Sequence, residues 1–281
     1  MLSKALSRAL VAGAMLLASS HGVAEAQTIP GRTGTPTAAV ELWRMQCGKD
    51  QQLPKAMFSD TFLYPDASSK DFTFSCYLIR HGADYMIWDA GLPAPEAPRI
   101  VDQLKQVGIA PSQIKFLGLS HFHFDHIGQA ADFPGATLLI GADDLAVIRK
   151  GEQLPDGSTD SQTRLAPWIS GGKPSQPLSG DLDVFGDGTV VIMRMPGHTP
   201  GHRSLLVRLP KTGNVLLSGD LYHFPENRFG RVVPVFNTDR AQTLASMDRF
   251  EELARRLKAT VIIQHEPSDI AKLPRFPTSA K

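Results

Sequence analysis

The stretch that most constrains this chain is Ser120-His121-Phe122-His123-Phe124-Asp125-His126-Ile127-Gly128. Three histidines and an aspartate fall within six residues, directly after the apolar run Phe116-Leu117-Gly118-Leu119. That run reads as a short buried strand, so the cluster belongs at a strand end. His121 and His123 can face one way only if the backbone there stays extended. A turn must then send Asp125 and His126 elsewhere. As a merely solvated loop the cluster would be unfavourable, because its imidazoles repel one another once protonated. Imidazole and carboxylate without thiolate suit zinc, iron, manganese or cobalt, and the arrangement suits two adjacent cations better than one.

The first residues address the chain. Lys4 and Arg8 precede the uncharged apolar stretch Ala9 to Ala18, and Ala24-Glu25-Ala26 supplies a small-x-small cleavage pattern. This predicts a signal peptide over residues 1–26 and export to a periplasm or beyond. The stretch is too short for a stable membrane anchor. Residues 27–37, rich in Pro, Gly and Thr, read as a flexible arm, and residues 38–281 as a single domain. Without Lys4, Arg8 and Glu25, 27 basic and 27 acidic side chains remain. A neutral chain without a basic run gives no reason to expect nucleic acid. It suits an uncharged or weakly charged small substrate. Cys47 and Cys76 are the only thiols. An oxidising compartment permits their pairing, whereas their strand-like apolar settings favour buried free thiols. Neither stands beside a histidine-bearing motif, so neither reads as a nucleophile.

Strands are expected at Val40–Met45, Phe72–Arg80, Tyr85–Trp88, Ala136–Ile140, Thr189–Met195, Ser204–Arg208, Val215–Leu217 and Thr260–Gln264. His81-Gly82-Ala83-Asp84 marks a hairpin turn. Helices are expected at Pro98–Val107, from about Gly128, at Ala142–Lys150 and at Thr238–Ala259, the last with an apolar stripe of Leu244, Met247, Phe250, Leu253 and Leu257. Gly48–Lys70 reads as a long irregular loop with unusual apolar weight, and Gly151–Ser179 as a surface insertion. The order strands, helices, strands, helix points to an α/β fold of two packed sheets with helices outside. No glycine-rich nucleotide loop follows any strand.

Three more groups fall at strand ends: Pro196-Gly197-His198-Thr199-Pro200-Gly201-His202, Ser218-Gly219-Asp220 and Gln264-His265-Glu266. One histidine at a strand end is ordinarily a hydrogen-bonded loop residue. In this order after the first cluster, the groups bring the ligands to seven, the number a bridged two-metal site needs. His202 is read as a hydrogen-bonding member of its rigid turn, and His81 and His21 as inert.

These motifs together resemble the metallo-β-lactamase superfamily, from about residue 40 to residue 275. The resemblance implies a four-layer αββα sandwich with two mixed sheets and the metals at one edge. It implies that His121, His123 and His198 hold one divalent ion, and Asp125, His126 and His265 a second. Asp220 would bridge them, and Asp89 would orient a ligand histidine. Zinc is the expected metal, with cobalt, manganese and iron also suited. Asp220, and the run that ends His202-Arg203-Ser204-Leu205, are most similar to N-acyl homoserine lactonases. β-Lactamases of this fold usually carry Cys or Ser in place of that Asp.

The implied chemistry is opening of an acylated lactone by a metal-bridging hydroxide, with Asp125 or Asp220 carrying the proton to the leaving alkoxide. The chain departs from the lactonase pattern at two points. A substrate-contacting Tyr three residues after the bridging Asp is replaced by His223, with Tyr222 one residue earlier. Glu266-Pro267 follows the last ligand histidine where an Asp is usual. Tyr222 or His223 is therefore the expected substrate contact, and Met57, Phe58, Phe62 and Phe224 the expected walls of an acyl groove. The resemblance also makes a homodimer through Gly48–Lys70 plausible. The alternatives are a phosphotriesterase, arylesterase or β-lactamase on the same site. A di-iron oxidoreductase would need a flavin domain and a carboxylate where His123 stands. A non-catalytic zinc-binding protein would hold metal and hydrolyse nothing.

Overall fold

The structure is a computed structural model and describes residues 38–65, 67–151 and 160–281. The expected signal peptide and N-terminal arm lie outside the described residues. The chain enters through β1 (Val40–Gln46), the paired short strands β2 (Gln51–Pro54) and β3 (Ser69–Phe72), and the hairpin β4 (Ser75–His81) and β5 (Asp84–Trp88). Next come α1 (Ile100–Gln106), β6 (Ile114–Gly118), α2 (Phe124–Ile127), β7 (Thr137–Gly141), α3 (Ala142–Lys150), α4 (Asp160–Arg164), α5 (Ala166–Ile169) and β8 (Ser175–Leu178). The second half runs β9 (Leu182–Asp183), β10 (Val190–Arg194), β11 (Arg203–Leu209), β12 (Gly213–Leu217), α6 (Pro225–Gly230), α7 (Arg240–Leu257), β13 (Thr260–Ile262) and α8 (Pro267–Ile270).

Six strands form one sheet in the order β1-β4-β5-β6-β7-β8, and five form the other in the order β13-β12-β11-β10-β9. Both are mixed. The first turns from antiparallel to parallel at β5–β6, and the second carries one parallel pair, β12–β13. Strand periodicity sorts the core into two layers. In β4, Tyr77 and Ile79 point between the sheets and meet Leu205, Val207 and Leu217. Cys76 and Leu78 point the other way, into the layer beneath Ile100, Leu104, Leu145 and Ile148 of the helices. Burial on both faces explains why the central strands read as continuous apolar runs. Helices cover both outer faces, which makes the four-layer αββα sandwich.

Several expectations change. β2 pairs with β3, so the two ends of the expected Gly48–Lys70 loop form a small antiparallel ribbon. No long helix starts at Gly128; α2 begins inside the motif, at Phe124. It stops at Ile127 because the Gly128 and Gln129 amides donate to the Gly91 and Ala90 carbonyls at 2.7 and 3.0 Å, an approach so close that a Cβ on Gly128 would lie 2.4 Å from the Gly91 carbonyl oxygen. The segment from Gly151 to Ser179 is no surface insertion where it is described. Leu165 and Trp168 are fully buried in the core, and β8 extends the first sheet. The buried face of α7 is Thr243, Ser246, Met247, Phe250 and Ala254, with Leu244, Leu253 and Leu257 half-buried. The polar members are used: Ser246 Oγ donates to the Pro196 carbonyl at 2.7 Å. Cys47 and Cys76 are joined in a disulfide, correcting the reading as free thiols. Strand register decides this, since Met45 faces Cys76 across β1 and β4 and leaves Cys47 just past the ladder, with its Cα 5.8 Å from that of Cys76.

Candidate metal centre

Every candidate ligand follows a strand end on one edge of the sandwich. After β6 the backbone stays extended through His123 (φ −63°, ψ 152°) and then coils into α2. That break sends His121 and His123 into one group and Asp125 and His126 into another. His198 comes from the turn after β10, Asp220 from the turn after β12, and His265 from the end of β13.

The side chains meet in two groups: His121, His123, His198 and Asp220, then Asp125, His126 and His265, each with its ligand atoms within 4.8 Å of one another. His123 Nδ1 lies 2.9 Å from His121 Nε2 and 3.1 Å from His198 Nε2. His126 Nε2 and His265 Nε2 are 3.2 Å apart, with Asp125 Oδ2 3.7 Å from each. Asp220 faces both groups. Its Oδ1 lies 3.2 Å from His126 Nε2 and 3.0 Å from His265 Nε2, and its Oδ2 lies 3.6 and 3.5 Å from His121 and His198 Nε2.

These contacts fit divalent ions. A ring nitrogen carries one proton or one lone pair, so His123 Nδ1 cannot serve both neighbours well by hydrogen bonding alone. Three of the rings have an outer nitrogen held from behind, as ligand imidazoles require, whereas His198 Nδ1 is buried without a hydrogen-bond partner. His121 Nδ1 lies 3.0 Å from Ser120 Oγ, His126 Nδ1 3.0 Å from Asp89 Oδ2, and His265 Nδ1 2.8 Å from the Thr73 carbonyl oxygen. Asp89 also accepts from the Ser120 amide at 2.7 Å and from Gln264 Nε2 at 2.9 Å.

Burial, and then the neighbouring rings, hold His121 and His198 well below the ordinary histidine range, so both are neutral donors. Burial also disfavours charge on His126, but Asp220, Asp125 and Asp89 outweigh it and raise this ring well above that range. A cation bound there competes with the same proton. Burial likewise works against the Asp220 carboxylate, yet His126, His265, His223 and His121 keep it well below the usual range.

Of the two expected substrate contacts, Tyr222 and His223, one faces the cluster. Tyr222 does not reach the cluster: its hydroxyl donates to Glu251 Oε1 of α7 at 2.9 Å, and Arg228 holds the same carboxylate. An extended residue points opposite to its neighbour, so Tyr222 turns away and His223 turns in. His223 Nε2 lies 3.1 Å from Asp220 Oδ2, and its Nδ1 is buried without a hydrogen-bond partner.

Of the expected apolar walls, Phe58 is buried with its ring centroid 4.8 Å from His223, and Phe224 packs behind it at 4.9 Å. Phe62 and Met57 point outward, 89% and 44% exposed, so neither joins this wall. Sequence reading missed Phe72, stacked on His265 at 4.1 Å, and Phe236, 6.0 Å from His223. It also missed Gln264, whose Oε1 accepts from Trp88 Nε1 and the Gly219 amide. A buried amide beside a ligand histidine was the available signal.

Residues 72–265 match the sequence profile of the metallo-beta-lactamase superfamily. The chain belongs to this superfamily. Among curated members, an N-acyl homoserine lactonase of Bacillus sp is 32% identical over 218 residues, 70% of this chain and 82% of that protein. The N-acyl homoserine lactonase AttM of Azorhizobium caulinodans is 31% identical over 59% of this chain, and the match spans 64% of that relative's length. AttM of Rhizobium radiobacter is 32% identical over 63% of this chain and 67% of its own length. A solved structure, an N-acyl homoserine lactone hydrolase with the product N-hexanoyl-L-homoserine at its catalytic metal centre, superposes with a TM-score of 0.71 at 21% identity, over 85% of this chain and 98% of that one. The dizinc quorum-quenching lactonase AidC superposes at 0.62 and 18% identity, over 87% and 94% of the two chains.

Proposed function

We propose that the protein is an exported, metal-dependent hydrolase that opens the lactone ring of N-acyl homoserine lactones. The observation that carries this reading is Asp220, a buried carboxylate facing two ligand groups at once. Held there, His121, His123, His198 and Asp220 would take one ion and Asp125, His126, His265 and Asp220 the other. Two such ions, zinc being the proposed pair, would supply a water of lowered pKa and a Lewis acid for a carbonyl oxygen.

The chain's own residues supply the rest. His223 Nδ1 is a buried polar atom without a partner, suited to hydrogen-bond the substrate. Phe58, Phe72 and Phe236 surround that ring with apolar faces and exclude water from an uncharged acyl amide. Asp125, half-buried at the rim of the second group, would carry a proton to the leaving alkoxide. The Cys47–Cys76 disulfide supports export to an oxidising compartment.

The test is ring opening of a short- and a long-chain N-acyl homoserine lactone by protein of known metal content, with a chelated and reloaded sample as control. Fast, metal-dependent opening is expected. If fully metallated protein left lactones intact but cleaved a phosphotriester or a β-lactam, the substrate assignment would fall while the two-metal hydrolase stood.

A further inference from the structure

We propose that His202 is a positioning residue that fixes the bridging carboxylate Asp220 and locks it to the turn carrying His198. The proposal rests on the two-metal reading of the site and not on its substrate. His202 is the second histidine of P-G-H-T-P-G-H, completely buried, with its ring centroid 5.4 Å from that of His121 and 5.8 Å from that of His198. By position it could be a ligand. Its hydrogen bonds assign it differently.

His202 Nδ1 lies 2.9 Å from the Met195 carbonyl oxygen, and its Nε2 lies 2.9 Å from the backbone nitrogen of Asp220. A carbonyl only accepts and a backbone N–H only donates. The ring proton is therefore on Nδ1, and the Nε2 lone pair is taken by the Asp220 amide. No lone pair is left for a cation. The imidazole instead joins two loops. Met195 opens the His198 turn, which closes through its own amide to the His202 carbonyl at 2.9 Å. Asp220 belongs to the turn after the neighbouring β12.

The glycine of Ser218-Gly219-Asp220 belongs to the same device. Gly219 has φ +56°, and a Cβ there would fall 2.7 Å from His202 Nε2 and 2.8 Å from the Arg203 carbonyl oxygen. The turn lies directly on the ring, which only glycine permits. Gln264 Oε1 takes the Gly219 amide at 3.0 Å, and His202 takes the next one. Two consecutive amides are thus held, and the Asp220 side chain leaves a fixed peptide. Loss of the Nε2 acceptor would leave a buried N–H unpaired and free that peptide to rotate. Asp220 must keep one oxygen toward each ligand group, so a small rotation weakens both.

Three substitutions separate acceptor from shape. His202→Gln presents a carbonyl oxygen toward the Asp220 amide. His202→Asn keeps a donor near Met195 but falls short of Asp220. His202→Phe fills the space and does neither. Each is exchanged into cobalt, the two ion affinities are measured by competition with a chromophoric chelator, and the visible cobalt spectrum is recorded. Thermal unfolding of the metal-free proteins reports on the fold. His202→Phe and His202→Asn are expected to lose about 10-fold or more in affinity for at least one ion, the scale of outer partners of metal ligands. Both are expected to alter the spectrum, and His202→Gln to stay close to wild type. Gly219→Ala pushes the same turn off the ring and should reproduce the loss even if His202→Phe does not fold. Wild-type affinity and spectrum in His202→Phe or His202→Asn would overturn the proposal, as would a His202→Gln protein as impaired as His202→Phe. Wild-type protein that binds two ions but opens no lactone would remove the functional reading and leave this one intact.

Discussion

The metal centre and the aromatic wall beside it are held in different ways. Each ligand at the centre follows a strand end, and buried partners such as Asp89, Thr73 and Ser120 fix the imidazoles from behind. The wall comes from residues around β2, β3 and α6, packed on the sandwich from outside. Backbone bonds from Asp60 to Val233 at 2.8 Å and from Val235 to Met57 at 3.0 Å pin those segments to one another. Lys70 adds ion pairs to Glu226 and Glu266 at 3.5 and 3.1 Å. The centre has no spare geometry, whereas the wall mixes buried rings with side chains lying in water. Changes at the centre should therefore abolish chemistry, and changes in the wall should grade selectivity.

The largest effect is expected at Asp220. Asp220→Asn keeps the shape but offers one oxygen in place of two, so one ligand group loses its carboxylate. Activity should fall by more than the roughly 100-fold that outer partners of metal ligands command, and metal analysis should show fewer than two ions bound. A variant with two ions and near-normal turnover would show that the carboxylate bridges nothing. His223→Phe comes next, because it keeps the ring among Phe58, Phe72 and Phe236 and removes both nitrogens. kcat should drop by about 10²-fold, the scale of one lost transition-state donor, with metal content unchanged. An unchanged kcat would remove His223 from the chemistry.

Legibility in the sequence follows the same division. H-x-H-x-D-H could be read because four ligands share one loop and the chain itself sets their spacing. His198, Asp220 and His265 were each weak signals alone, and only their order after strand ends joined them. Tyr222 misled because strand parity, not nearness to Asp220, decides which side chain enters the site. The helix expected from Gly128 failed for a tertiary reason, since the Gly128 and Gln129 amides donate to the Gly91 and Ala90 carbonyls. Trp168 could not be placed from its Gly- and Pro-rich surroundings, although its indole donates to the Ala136 carbonyl at 3.0 Å inside the core. Phe72 sits at the end of β3, where nothing local announces that its ring will lie on His265.

A smaller and more selective effect is expected at Phe58. Phe58→Ala opens a cavity beside His223 and should cost about 3–5 kcal/mol of stability. If the wall receives the acyl chain, the ratio of long- to short-chain lactone turnover should change as well. Lost stability with an unaltered ratio would make Phe58 a core residue only.

Phe62 sharpens the comparison because it should do almost nothing. It was expected to line the groove with Phe58, yet its ring is 89% exposed and its backbone has φ +53°. Alanine meets the same strain at that angle, so Phe62→Ala changes neither backbone cost nor packing, and stability should stay within about 0.5 kcal/mol. The neighbouring turn is held without the ring, since the Leu63 amide donates to Ser59 Oγ at 3.0 Å. A side chain this open removes little water from an acyl tail unless the loop closes over the bound substrate. Chain-length preference should therefore survive Phe62→Ala and change in Phe58→Ala. A selective loss of long-chain turnover in Phe62→Ala would mean that this loop folds inward on binding, and the outer wall would then belong to the site.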